Sequence, residues 1–127
     1  MAIRRWWLVA ILALAACWHR AAPGPMPDQN VITEPEIRAS QEPSIYDVIA
    51  KLRPEFLHDR GPIELVGGAR DVATVFLNEQ EYGPIAIMRQ LPADDVAEVR
   101  YYSGIDAVTK FGRAYGTGVI QLISRNH

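Results

Sequence analysis

Residues 6–16 form a run of eleven uncharged, strongly apolar residues, preceded by Arg4 and Arg5 and followed by Cys17. A helix of this length rises about 16 Å, whereas the hydrocarbon core of a bilayer is about 30 Å thick. The run is therefore too short for a stable transmembrane helix. Its length and its basic flank are typical of the hydrophobic region of a signal peptide. The folded part of the chain must follow it.

The end of this run, Leu14-Ala15-Ala16-Cys17, closely resembles the bacterial lipobox. The resemblance implies cleavage before Cys17, lipidation of its thiol and a mature N-terminus that carries several acyl chains, which anchor a protein stably. The residue after the cysteine is Trp18. In lipoproteins of enteric bacteria an Asp at this position favours retention in the inner membrane, so its absence favours location in the outer membrane. We therefore expect residues 1–16 to be a lipoprotein signal peptide and Cys17 to be the lipidation site. An ordinary secretory signal with a chance cysteine is the alternative.

Composition excludes several classes of function. The chain has 127 residues, which is too few for a large multidomain enzyme or a transport barrel, and one Cys, which excludes an internal disulfide. Removing residues 1–16 takes two of the 13 basic residues and leaves 11 against 15 acidic ones, a net charge of −4. This charge is unsuited to nucleic acids and to anionic membrane surfaces, so we expect no nucleic-acid partner and a lipid as the membrane anchor.

The next segment, residues 17–43, is predicted to be the lipidated cysteine and a Pro-rich tether. Residues 18–43 hold five of the nine prolines and show no apolar periodicity. Such a composition favours an extended, partly polyproline chain over a packed core. We therefore predict one folded domain over residues 44–127.

That domain shows patterns of both helices and strands. Ser44 is predicted to cap a helix that Pro54 ends or kinks, with Ile45, Val48, Ile49, Leu52 and Phe56 on one face. Strands are predicted over residues 63–66, 72–77, 96–102 and 119–124, and short helices over residues 85–91 and 104–111. Residues 78–83 and 92–95 are predicted turns. The whole predicts an α+β fold, in which a small mixed sheet packs against short helices.

Two strands carry more detailed expectations. Both faces of strand 72–77 are largely apolar, which indicates a sheet covered on two sides. In strand 96–102, Val99 and Tyr101 should lie on one face, and Arg100 and Tyr102 on the other.

The second half of the domain, residues 72–125, resembles the C-terminal half of the plug domain of TonB-dependent outer-membrane receptors. Residues 75–78 correspond to the first plug strand, and residues 91–101 correspond to the Leu-x-x-Ile-Pro turn and the strand after it. Residues 103–112 match the helix that ends in Tyr-Gly, with Phe111 for Tyr, and residues 115–125 match the closing Gly-Gly-Val-Ile-Asn-Ile segment. The resemblance implies a plug-like domain, here with no barrel after it.

The departures from the plug pattern are also specific. Residues 78–83 replace an Asp-Gly turn, Ser103-Gly104 replaces Gly-Pro, and the helix predicted after Ser44 is not obviously plug-like. In receptors an energy-coupling box precedes the plug, and Val31-Ile32-Thr33 is a weak match to it.

Patterns of catalysis and metal binding are weak in this sequence. The histidines His19, His58 and His127 are widely separated, so we expect no metal site. Asp94-Asp95 is better explained as a turn that caps backbone amides, and Ser103 as a helix cap. Gly67-Gly68 lacks the rest of a phosphate-binding motif. We expect no cofactor and no enzymatic activity.

The expected binding residues are Arg113, Tyr115 and Tyr102. The first two lie in a loop broken by glycines, where exposure is expected. Aromatic residues are enriched at interfaces, and the candidates for such a face are Tyr82, Tyr101, Tyr102, Phe111 and Tyr115. The alternative is that most of these rings belong to the core.

Three functions remain open from the sequence. The leading hypothesis is a non-enzymatic outer-membrane lipoprotein, facing the periplasm or the cell surface, whose plug-like domain binds a receptor, another envelope protein or a ligand. The second is an accessory plug component of a separately encoded TonB-dependent transport barrel. The third is a structural envelope lipoprotein.

Overall fold

The computed structural model describes residues 28–58 and 72–125, in which five strands form one open mixed sheet in the order β1-β4-β5-β2-β3. The strands are β1 (Val31–Ile32), β2 (Thr74–Leu77), β3 (Gln80–Pro84), β4 (Val96–Tyr102) and β5 (Val119–Ser124). The α-helices are α1 (Glu34–Ser40), α2 (Ile45–Leu52) and α3 (Gly104–Phe111). Four 3-10 segments complete the described chain, at Pro54–Leu57, Ile85–Gln90, Ala93–Asp95 and Arg113–Tyr115. The predicted α+β class is confirmed.

The sheet is held together by one parallel and three antiparallel pairs. β2 pairs in parallel with β5, with Thr74 opposite Val119 and Leu77 opposite Leu122. β4 pairs antiparallel with β5 along its length, and β1 and β3 add antiparallel edges. β5 therefore lies at the centre of the sheet, and the end of β4 lies beside the start of β5.

Helix α2 confirms the sequence prediction. The Ser44 hydroxyl oxygen accepts a hydrogen bond from the Asp47 amide at 3.2 Å, which caps the first turn. Ile45, Val48 and Ile49 are fully buried. The α-helix ends at Leu52, and a 3-10 turn begins at Pro54 because proline cannot donate the next helical hydrogen bond.

The predicted tether boundary is wrong for residues 31–43. β1 and α1 lie in this segment, and their side chains Ile32 and Ile37 are buried in the core. Pro35 lies in the first turn of α1, where a missing amide hydrogen costs nothing, so it starts a helix rather than an extended chain. The Thr33 amide and hydroxyl donate to Glu36 Oε2 at 2.8 and 2.9 Å and fix that turn.

The two faces of the sheet carry clusters of different size. The larger core joins one face to α1, α2 and the 3-10 segment Ile85–Gln90, and it includes Val75, Val99, Tyr101, Ile120 and Leu122. The smaller cluster lies on the opposite face under α3 and is formed by Phe76, Ala107 and Val119 with Tyr102, Phe111 and Tyr115. Both the predicted alternation in β4 and the covering of β2 on two sides are confirmed.

Two further expectations need correction. Residues 78–83, predicted as a turn, form a two-residue turn and then most of edge strand β3. β3 was missed because its side chains face solvent and so show no apolar alternation. The helix predicted over residues 85–91 is a 3-10 helix at Ile85–Gln90.

Other predictions cannot be compared with this structure. The signal peptide, Cys17, strand 63–66 and Gly67-Gly68 lie outside the described residues. Within residues 28–58 and 72–125, none of the helices has the length and apolar character needed to span a bilayer.

Candidate functional site

The structure brings two of the three predicted binding residues together around Phe111. Tyr102 ends β4, and Tyr115 lies in the 3-10 turn Arg113–Tyr115 that follows α3. The Phe111 ring lies 5.3 Å from the Tyr102 ring and 6.3 Å from the Tyr115 ring, centroid to centroid, both nearly edge-on. Phe76 lies beneath, 4.5 Å from Phe111. These distances are those of favourable aromatic pairs.

Residues at the start, middle and end of α3 determine where the helix begins, how closely it packs on the sheet and where it ends. The Ala107 amide donates to the Ser103 carbonyl at 2.7 Å, and the Ser103 hydroxyl donates to Asp106 Oδ2 at 2.7 Å. Ala107 is fully buried, so its small side chain lets the helix lie close to the sheet. Gly112, with φ +112°, ends the helix in a conformation that other residues rarely adopt.

Gly118, directly before β5, packs closely against the end of β4. Its φ is +106°, and a Cβ atom there would lie 3.0 Å from the Tyr102 carbonyl oxygen and 3.1 Å from the Tyr101 hydroxyl oxygen. The position therefore requires glycine for both its backbone conformation and its space. This close approach fixes Tyr102 beside the centre of the sheet.

Tyr115 is anchored at both ends of its side chain. Its ring packs edge-on against Phe76 at 5.2 Å, and its hydroxyl donates to Glu81 Oε2 at 2.7 Å. It therefore ties the turn after α3 to the β2–β3 hairpin. Arg113, by contrast, is exposed and makes no hydrogen bond or ion pair with any residue in the described ranges.

Lys110 is a member of this site that the sequence analysis missed. Its Nζ donates to Tyr102 Oη at 2.5 Å and to Gln121 Oε1 at 3.1 Å. It also lies 4.3 Å from the centre of the Tyr102 ring and 5.2 Å from that of Phe111, within cation–π range. We name Tyr102, Lys110, Phe111, Arg113 and Tyr115 the α3 surface.

Gln121 supports this surface from below. It is only 6% exposed, and its Nε2 donates to the Asn78 carbonyl at 2.5 Å while its Oε1 accepts from both Lys110 and Tyr102. A glutamine within the apolar run of β5 was the sequence signal that a polar partner lies above the sheet. Lys110 itself carried no such signal, because its contacts depend on how α3 packs.

Arg100 and Glu98 form an ion pair on the same strand as Tyr102. The hydrogen bond of Arg100 to Glu98, assisted by one to Tyr102, raises the pKa of the Arg100 guanidinium above its usual value. Arg100 therefore stays protonated, with its charge balanced by Glu98.

The rest of the described chain offers little for catalysis. A shallow cleft of about 360 Å³ lies between the start of α2 and Pro92, and Arg89 lines it. Its Ser44 and Asp47 groups already bond to each other, Oγ to Oδ2 at 2.6 Å. Among residues 28–58 and 72–125, no three His, Cys, Asp or Glu side chains are placed to hold a metal ion.

The fold and this surface define a small α+β domain with an aromatic and cationic face. Comparison with known proteins found no matching protein-family model, curated protein or solved structure.

Proposed function

We propose that this chain is a non-enzymatic lipoprotein of the bacterial outer membrane, and that its α+β domain, similar to a receptor plug, binds an envelope protein or a ligand. The α3 surface is the observation that carries the proposal. Tyr102, Phe111 and Tyr115 are half-buried and fixed by packing, so they can contact a partner at little entropic cost. Arg113 lies in the same turn as Tyr115, is exposed, and has no hydrogen bond or ion pair within the described ranges.

The anchor in this proposal is Cys17. Thirteen residues separate Cys17 from Val31, the first residue of β1, and such a segment spans at most about 45 Å when fully extended. The domain would therefore operate within this distance of the membrane, which is a shorter maximum reach than a tether ending at residue 43 would give.

The Cys17→Ala variant tests the anchor. We expect the wild-type protein in the membrane fraction and the variant in the soluble fraction, because the variant has no thiol to acylate. His19→Ala, which keeps Cys17 and the residues before it, is the control and should fractionate with the membrane. Equal solubility of the wild type and Cys17→Ala would refute lipid anchoring.

The Arg113→Ala variant tests the binding surface. Arg113 has no described contacts to lose, so the fold should be unaffected while capture of an envelope partner falls. Arg38→Ala is the matched control, because Arg38 is an exposed arginine on α1 that contacts Glu34 instead. A partner retained equally by wild type and Arg113→Ala would remove the α3 surface from the proposal and favour a structural lipoprotein.

A second candidate function is that of an accessory plug for a separately encoded TonB-dependent barrel. The order of elements from β2 to β5 favours it, because strand, short helix, strand, helix and strand follow one another as the plug resemblance implies, with edge strand β3 inserted after the first strand. Co-purification with a receptor that lacks its own plug would support this function. Failure to co-purify with any such receptor would count against it.

A further inference from the structure

Lys110 differs from most basic residues in the described ranges because it has no acidic partner there. Five of them, Arg38, Lys51, Arg53, Arg100 and Arg125, lie within 4 Å of a carboxylate. Lys110 and the nearby Arg113 form no ion pair with any described carboxylate. The α3 surface thus carries two cations without a described acidic partner, on a chain whose net charge is negative.

Lys110 lacks a described acidic partner although Asp106 is close to it in the sequence. Asp106 lies four residues earlier on α3, a spacing that allows an ion pair on a helix. The Asp106 carboxylate instead accepts the Ser103 hydroxyl, and Lys110 lies across the Tyr102 ring toward the sheet. Its ammonium is held by neutral groups, which orient the charge without neutralising it.

Resting on the binding function proposed above, we propose that Lys110 binds a carboxylate of an acidic peptide segment in the partner protein. An ammonium group has three N–H donors, and Tyr102 and Gln121 use two of them. The third donor is left for a carboxylate oxygen, and the Tyr102 and Phe111 rings are there to contact the methylene groups of a glutamate. Because the lysine is already oriented, little side-chain entropy is lost on binding.

Charge argues for a short acidic segment rather than for a polyanion. A nucleic acid or an anionic bilayer would meet the acidic remainder of the chain as well as the α3 surface, and the net charge of −4 after Cys17 would repel it. A short segment with a few carboxylates can contact Lys110 without meeting most of the acidic residues of the chain. Exposed ion pairs are weak, so the expected Kd for a short peptide is on the order of millimolar.

Chemical-shift titration of the full lipidated chain in detergent micelles tests this inference. The probe is blocked tetraglutamate, with blocked tetraglutamine as its uncharged match and inorganic phosphate as a simple anion. We expect saturable shifts of the Tyr102, Lys110 and Gln121 amides with tetraglutamate only, and weaker binding in 1 M salt. Lys110→Met should weaken binding by up to about fivefold, the loss of one exposed ion pair. Lys110→Arg should keep most of the binding, and Arg38→Gln should not change it.

Three results would overturn the inference. One is the absence of saturable shifts, the second is equal shifts with tetraglutamine, and the third is phosphate binding as tight as that of tetraglutamate. The comparison of the two peptides on the wild-type protein decides the matter even if Lys110→Met does not fold. If tetraglutamate fails while partner capture still depends on Arg113, the acidic partner is refuted and the proposed function stands. If tetraglutamate titrates but capture does not depend on Arg113, carboxylate binding at Lys110 stands and the proposed role of the α3 surface in partner capture is refuted.

Discussion

The close approach of Gly118 to the end of β4 gives a stability prediction with a built-in control. Gly118 and Gly112 both have positive φ, +106° and +112°, so alanine at either position should cost about 1–3 kcal/mol of backbone strain. Their surroundings differ. A Cβ on Gly118 would meet the Tyr102 carbonyl oxygen at 3.0 Å, whereas a Cβ on Gly112 has no heavy atom within 4 Å. The extra cost of Gly118→Ala is therefore steric, and overpacking adds about 1–3 kcal/mol.

Urea unfolding of the two variants and the wild type measures this difference. We expect a lower midpoint for Gly118→Ala than for Gly112→Ala, with unchanged m-values. The amide shift of Tyr102 should change in Gly118→Ala, because its carbonyl must move. Equal losses of stability in the two variants would refute the steric argument, and no loss in either would refute the assigned backbone conformation.

Three further perturbations test other parts of the structure. Ile37→Ala should lower the free energy of unfolding by about 2–5 kcal/mol, since Ile37 is 2% exposed. Ile105→Ala is the control, and because Ile105 is 82% exposed it should change this free energy by less than about 0.5 kcal/mol. Equal effects of the two variants on urea unfolding would indicate that residues 31–43 are an unfolded tether after all. Burial alone would raise the pKa of the Glu36 carboxyl, but its hydrogen bonds from Thr33 and the charge of Arg53 outweigh burial and lower it. The ionised Glu36 carboxylate thus stabilises the fold at pH values above its unfolded pKa of about 4.3, and this contribution is lost as pH falls through the lower folded pKa. Glu36→Gln should therefore be less stable than the wild type at pH 7, and acid-unfolding curves should show this difference vanish below the folded pKa. Gln121→Leu should cost about 1–3 kcal/mol by thermal or urea unfolding, because it leaves the Lys110 and Tyr102 donors and the Asn78 carbonyl without their partner.

Local pattern was enough to predict the elements that carry the α3 surface. The bounds of β4, α3 and β5 agree with those predicted, because each has an alternating or helical apolar pattern between clear breaks such as Ser103 and Gly112. The capped start of α2 at Ser44 is equally local. In these segments intrinsic preference and tertiary packing favour the same structure.

The segments that were missed depend on distant partners. β1 has two residues, and it is a strand only because Val31 and Ile32 pair with Arg100 and Val99 of β4. α1 is short and contains Pro35, so its helical nature depends on its first-turn geometry and on the burial of Ile37. Lys110 could not be assigned to the site for the same reason, since its contacts with Gln121 cross from helix to sheet.

The α3 surface is also linked to the stability of the β2–β3 hairpin. Lys110 and Tyr102 contact Gln121, which bonds to the Asn78 carbonyl in the hairpin turn, and Tyr115 bonds to Glu81 in β3. A partner that orders the α3 surface must therefore also favour the folded hairpin, because the same hydrogen bonds serve both. Ligands that bind only the native state stabilise it by mass action, so occupancy of this surface should protect the amides of β3 from hydrogen exchange. β3 is one of the two edge strands among the described residues, so this coupling would let binding at one face of the sheet stabilise a strand at its edge.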